Sequence, residues 1–205
     1  MKGRESGMPQ EAYWSTFFEP EGVLQVLWPH AERDGPLVEF GSGFGTFTLP
    51  AARLTRYEVT ALDIEPALVS LVRERAHAEG LTHLRVEQRD FVDNGTGLAS
   101  GSQAHVMIYN LLHVEAPLDL LREACRVLRP HGTLSVMHWR SDIDTPRGPP
   151  LDIRPTPKAC ARWMAAVGLE QVTPVDLKAS APFHFGLIAT KSVEVDRRGD
   201  RPETV

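Results

Sequence analysis

At 205 residues, 42% hydrophobic and 24% charged, the chain is sized for one sizeable core and too short for two comfortable domains. It has no apolar run long enough to span a membrane, and residues 1–10 lack the apolar segment of a signal peptide, so a cytoplasmic location is expected. A net charge of −5 with no block of Lys or Arg argues against nucleic acid as a partner.

The eight histidines are scattered, and neither His-x-x-x-His nor Cys-x-x-Cys spacing occurs, so no metal site is expected. Cys125 and Cys160 each sit among apolar residues at helical spacing. Both read as small core-facing residues, and a disulfide is not expected in a reducing compartment.

In chain order, an unusually aromatic segment comes first, Tyr13-Trp14-Ser15-Thr16-Phe17-Phe18, ahead of a helix expected over 21–28. Residues 11–35 form a helical segment that either folds over a site as a lid or packs its rings on the edge of a sheet. The apolar run 36–40 reads as a buried strand, the glycines at 41, 43 and 45 as a tight turn, and 46–54 as a helix. A second strand over 58–62 leads into a helix opened by Pro66 and closed at Gly80, with Leu68, Leu71, Val72 and Ala76 on its inner face. The third strand spans 84–88, and Asn94-Gly95-Thr96-Gly97 reads as a turn.

The fourth strand is expected over 104–110, a helix over 117–128 and the fifth strand over 133–138. Prolines at 146, 149, 150 and 155 rule out regular structure across 140–155. A helix over 157–167 stops at Gly168. Strands over 171–177 and 184–191 close the core, joined at Ser180-Ala181-Pro182, and the charged residues 194–205 read as a mobile tail. Alternating strands and helices point to an α/β fold: a mostly parallel sheet covered by helices on both faces. The expected partition is one domain over 1–193, with its core at 36–191.

The glycine turn constrains the ligand. A dinucleotide fingerprint is Gly-x-Gly-x-x-Gly, whereas here the third slot after Gly41 is Thr46, and the glycine falls one residue early at Gly45. No Lys or Arg occurs over 36–49, and Glu39, ionised at pH 7 unless strongly shifted, would repel a pyrophosphate. A ligand with a cationic amine or sulfonium would be attracted instead, and S-adenosyl-L-methionine meets that demand.

Residues 38–49 resemble motif I of the class I S-adenosylmethionine-dependent methyltransferases, and four more matches follow in order. Val59 to Pro66 resembles the second strand with its acidic end, Arg89-Asp90-Phe91 the adenine-holding loop, and Met107 to His113 the fourth strand and the lip of the active site. Arg126 to Leu134 resembles the turn into the fifth strand. The resemblance implies a Rossmann-like, doubly wound, seven-stranded sheet, mostly parallel, with an antiparallel C-terminal hairpin at one edge. It also implies that Glu39, Gly41, Ser42, Gly43 and Gly45 cradle the methionine part of the cofactor. Asp63 would then take the ribose and Asp90 and Phe91 the adenine, with Ile64, Asn110 and Leu111 also at the cofactor.

Methyl transfer from a sulfonium mainly needs the nucleophile placed and water excluded, so no catalytic triad is expected. A base is needed only for an acceptor that arrives protonated. His113 is the candidate base; its plain reading is a solvated loop histidine. Tyr13, Trp14, Phe18, His113, His138, Trp139 and Arg140 are the candidates for the acceptor pocket. The short N-terminal segment leaves little surface for a large substrate, which points to a small-molecule acceptor. Two other functions fit less well: an inactive protein that keeps the adenosyl site, and an NAD(P)-dependent oxidoreductase.

Overall fold

The computed structural model describes residues 8–192. Its seven strands are β1 (Leu37–Phe40), β2 (Val59–Asp63), β3 (Leu84–Gln88), β4 (Gln103–Tyr109), β5 (Leu128–Trp139), β6 (Leu169–Val175) and β7 (His184–Lys191). They form one sheet in the order β3-β2-β1-β4-β5-β7-β6. Pairings from β3 through β5 are parallel, and β7 runs antiparallel to both β5 and β6. Every residue of β1, β2 and β4 is buried, as expected of strands covered on both faces, whereas the edge strand β6 is largely exposed.

The helices are α1 (Glu11–Trp14), α2 (Pro20–Leu27), α3 (Thr48–Leu54), α4 (Pro66–Ala78), α5 (Phe91–Asn94), α6 (Pro117–Val127) and α7 (Pro157–Ala166). Proline occupies the first turn of α2, α4, α6 and α7, where its missing N–H is not needed. Strand alternation divides the core. Val38, Phe40, Val106 and Ile108 face α6 and α7, where Leu121, Ala124 and Met164 meet them. Leu37, Met107 and Tyr109 face the other way, against Trp14, Trp28 and Phe47. No helix among the described residues is long and apolar enough to cross a membrane.

Two strand boundaries differ from expectation for one reason. β5 begins at Leu128 rather than near 133, because Gln103 pairs with Leu128 before the register jumps to His105 and Thr133. The residues 129–132, which read as a turn, are an irregularity inside a long strand, with His131 at φ 61°. Likewise β6 begins at Leu169 and carries an irregularity at Gln171, φ 52°, where its register to β7 shifts. A short 3₁₀ turn, Leu151–Ile153, interrupts the proline-rich stretch. The tail expected at 194–205 lies outside the described residues.

Candidate active site at the carboxyl ends of the strands

Strand order reverses between β1 and β4, the place where an open parallel sheet leaves a crevice beyond its strand ends. A cavity of about 530 Å³ lies there. The turn after β1 is held by its neighbour strand: Gly41 and Ser42 N–H both donate to the Leu62 carbonyl, at 2.8 and 3.0 Å. Gly41 and Gly43 have φ of 75° and 53°, and a Cβ on Gly41 would stand 2.9 Å from Leu111. Glycine is needed there for both conformation and space.

Glu39 is the most heavily buried acid of the site, 1% exposed, on the β1 face shared with Tyr109 and Phe47. Thr48 Oγ1, from the start of α3, donates a short hydrogen bond to Glu39 Oε2. Burial pushes the Glu39 carboxyl up to about 8, against the Thr48 bond and aided by nearby Asp63. Without a cation beside it, the carboxyl holds its proton more tightly than an ordinary carboxylate. This is the strong shift that the sequence leaves open, and its cause is desolvation, which no sequence pattern displays.

Asp63, at the end of β2, is tied down by backbone. Its Oδ2 accepts the Gly43 N–H at 2.7 Å and its Oδ1 the Glu65 N–H at 3.0 Å. Burial raises its carboxyl above the ordinary range, and these backbone donors oppose the rise. Asp90 caps α5, accepting the Asp93 N–H at 3.2 Å, and lines the cavity beside Phe91. Asn110, just after β4, has φ 59°, and neither end of its buried amide group has a hydrogen-bond partner. Ser42 Oγ is also buried and unpartnered.

The roof comes from segments remote in sequence. Met8, Pro9 and Trp14 line one side, and residues 147–150 with Ile153 line the other. Trp14 is fixed by its Nε1 donating to Thr46 Oγ1 at 3.0 Å. Arg154 ties the proline-rich loop together, its guanidinium donating to the carbonyls of Pro149, Arg140 and Arg147 and to Thr145 Oγ1.

A family profile described as "Methyltransferase domain" matches residues 37–132, the stretch that carries β1 to β4 and all three site acids. That match covers a little under half of the chain, and over this stretch the chain is similar to a methyltransferase domain. Two curated proteins with similar sequences are both ribosomal protein L11 methyltransferases. The one from Dechloromonas aromatica is 33% identical over 49% of this chain and 31% of its own length. The one from Geobacillus thermodenitrificans is 28% identical over 53% of this chain and 33% of its own length. The chain thus spans about a third of the length of the curated relatives it matches. A crystal structure of a SAM-dependent methyltransferase from Aquifex aeolicus shares the fold, with TM-score 0.70 and 21% identity. It covers 85% of this chain and 90% of that one.

On this methyltransferase fold, the cavity gathers Glu39, Gly41, Ser42, Gly43, Asp63, Ile64, Asp90, Phe91, Asn110 and Leu111. Gly45 lies off it: a Cβ there would meet Val72 and Leu49 at 3.1 and 3.3 Å, so this glycine serves the packing of α3 on α4. Of the acceptor candidates, Trp14, His113 and Trp139 line the cavity. Tyr13 is 45% exposed, with its hydroxyl directed to the Pro146 carbonyl. Phe18 is buried against Trp14, Phe47 and His184. Arg140 pairs with Asp142 at the surface. His138 lies under the wall, with its Nε2 3.2 Å from Nδ1 of His113.

His113 is part-buried rather than a solvated loop residue, and burial lowers its basicity. The aromatic N-terminal segment does both things considered for it, since Trp14 covers the cavity while Phe17 and Phe18 fill the core. Thr48, Tyr109 and Arg147 also line or support the site without any sequence motif having singled them out, whereas Arg154 is among the proline-rich-loop residues that read as shaping specificity or keeping the loop soluble. Thr48 has a signal in hindsight, a hydroxyl in the first turn after the glycine loop; the others are placed by tertiary packing alone.

Proposed function

We propose that the chain is an S-adenosylmethionine-dependent methyltransferase acting on a small acceptor, folded as one domain over 1–193. The observation that carries this reading is Glu39: a buried carboxyl beside a glycine cradle, with no cation paired to it among the described residues. A ligand bringing its own positive charge completes that site, and a pyrophosphate would worsen it. The orphaned Asn110 amide group and Ser42 hydroxyl are further polar groups that a ligand would satisfy.

In this reading Glu39 and the Gly41–Gly43 backbone hold the charged methionine end, Asp63 the ribose diol, and Asp90 with Phe91 and Ile64 the adenine. The cofactor supplies a methyl group activated on a sulfonium. The chain's own part is to orient the acceptor and keep water out, for which the roof of Trp14 and residues 147–150 is suited. That roof favours a small acceptor over the protein acceptors for which the curated relatives are named.

Thermal shift with S-adenosylmethionine, S-adenosylhomocysteine and NADH tests the reading. Either adenosyl ligand at a hundred times its dissociation constant should stabilise by about 2.7 kcal/mol. Asp63→Ala should abolish that shift, and it should also weaken the fold by about 1–3 kcal/mol for each buried N–H left unpaired. Stabilisation by NADH alone would overturn the proposal. Adenosyl binding without turnover on any acceptor would reduce it to a binding protein.

A further inference from the structure

We propose that His138 is a positioning residue that locks His113 in the tautomer whose Nε2 lone pair faces the cavity, and that the acceptor is a phenol or enol hydroxyl. The proposal rests on the methyltransferase reading above and deepens it.

A backbone carbonyl fixes the first ring. Nδ1 of His138 lies 3.2 Å from the Trp139 carbonyl oxygen, which can only accept. In a neutral ring, Nδ1 of His138 then carries the proton and its Nε2 is a lone pair. That Nε2 is the partner of His113 Nδ1, at 3.2 Å. His113 must donate there, so its own Nε2 is left bare, and His113 is a cavity residue. One backbone carbonyl thus sets two tautomers in series.

Neutrality of both rings follows from their surroundings. Burial pushes His138 down to about 3, and His113 and the Arg154 guanidinium act on it in the same direction. His184, on β7, is likewise buried and responds to both His138 and Arg154. His113 is lowered by burial itself. Among the described residues, the cation that acts on His138 and His184 is Arg154, held by the proline-rich loop.

Those surroundings select the acceptor. An ammonium acceptor would also donate to the bare Nε2, but it would add a cation near Arg154 and has no lone pair to attack with until it loses a proton, whereas a neutral hydroxyl donates to Nε2 without adding charge. A base weakened by burial matches an acidic hydroxyl, and a phenol, with a pKa of about 10, suits it better than an alkyl alcohol. Flat aromatic walls, Trp14, Phe47, Tyr109 and Trp139, suit a ring. Tyr109 does not compete as the base. Its hydroxyl is engaged by Ser135 Oγ at 3.0 Å, and burial raises it.

The step balances. The acceptor proton passes to His113 Nε2, the oxygen forms the new bond to the methyl carbon, and the carbon–sulfur electron pair stays on sulfur. The imidazolium then returns its proton to water, stabilised meanwhile by its hydrogen bond to His138.

Nitrogen-15 NMR of the histidine rings in the ligand-free protein reads the tautomer directly. The expected result at pH 7 is His113 protonated on Nδ1 and bare on Nε2. His138→Leu should abolish that preference and His138→Gln, which keeps an acceptor, should restore it, both retaining the S-adenosylhomocysteine thermal shift. Adding phenol should move the His113 Nε2 resonance, while cyclohexanol and benzylamine should not. A wild-type His113 protonated on Nε2, or an equal response to benzylamine, overturns the proposal even if either variant misfolds. Loss of the S-adenosylhomocysteine shift in the wild type would instead fault the methyltransferase reading.

Discussion

The two halves of the cavity are built on different plans. On the β1–β2–β3 side, Glu39 is the last residue but one of β1, Asp63 ends β2 and Asp90 lies just past β3, and their anchors are mostly near in sequence or in the adjoining strand. Gly43 N–H and Glu65 N–H hold Asp63, Thr48 holds Glu39, and Asp93 N–H meets Asp90. On the acceptor side, Trp14, His113, Trp139 and the loop at 147–150 come from four separate stretches of chain. Their positions depend on Arg154, on Thr46 and on the edge-on and tilted ring contacts of Trp139 with Trp14 and His184. A site made of strand ends inherits its geometry from the sheet, whereas one made of side chains on loops inherits it from packing. The first kind tolerates change around it, and the second kind shifts when any one support is lost.

The halves should respond to pH with opposite sign, which gives the largest effect. His138 and His184 on the acceptor side, and His105 near the amino end of β4 outside the cavity, stay neutral in the folded chain down to about 3, because each ring is buried. The unfolded rings take a proton near pH 6.5. The unfolded state binds more protons between those values, so stability falls as pH drops through that window, by about 1.4 kcal/mol per pH unit for each ring. Glu39 does the reverse: its folded carboxyl keeps its proton up to about 8 and its unfolded one loses it near 4.5. Its stabilising contribution is complete below pH 4.5 and is lost as pH rises through about 8. Urea unfolding at pH 5, 6 and 7 should show a steep net loss toward acid. A flat profile would mean that the three rings are hydrated or paired in solution.

Arg154→Ala comes next. Removing a cation that holds three carbonyls and a hydroxyl should cost about 1.5–3 kcal/mol. It should also speed proteolysis within 140–153 while leaving S-adenosylhomocysteine binding within a few-fold. Equal damage to both ligand sites would erase the distinction between the halves.

Gly45→Ala places a side chain at φ 77° and against Val72. It should cost about 1–2 kcal/mol through backbone conformation, with affinity for the adenosyl ligand changed less than stability. A greater loss of affinity would return Gly45 to the binding site. The smallest effect is expected for Glu11→Gln, which breaks the half-exposed pair with Arg75 that ties α1 to α4. Pairs of this kind contribute about 0.2–1 kcal/mol, visible in a double-mutant cycle with Arg75→Gln.

Much of the adenosyl side was legible beforehand because its signals are local. Short apolar runs mark the buried strands, the Glu39-to-Gly45 spacing marks a turn, and an acid at a strand end lands on the crevice wherever the sheet is parallel. The misread boundaries, 129–132 and the start of β6, fall at register irregularities, which depend on a partner strand rather than on the residues themselves. Cys160 met expectation as a core residue, with burial pushing its thiol up to about 12. Gly45 looks in sequence like Gly41 and Gly43, and only the position of α4 reveals that it serves packing.

By itself, then, the order of residues determined a doubly wound sheet with a glycine turn and three acids at its carboxyl edge. Both follow from backbone rules that act over a few residues. Tertiary structure alone decided which of those acids holds a proton, that His113 faces His138 rather than solvent, and that Arg154 organises the roof. Desolvation, tautomer choice and long-range hydrogen bonds are properties of neighbours in space, and the chain brings those neighbours together only when it folds.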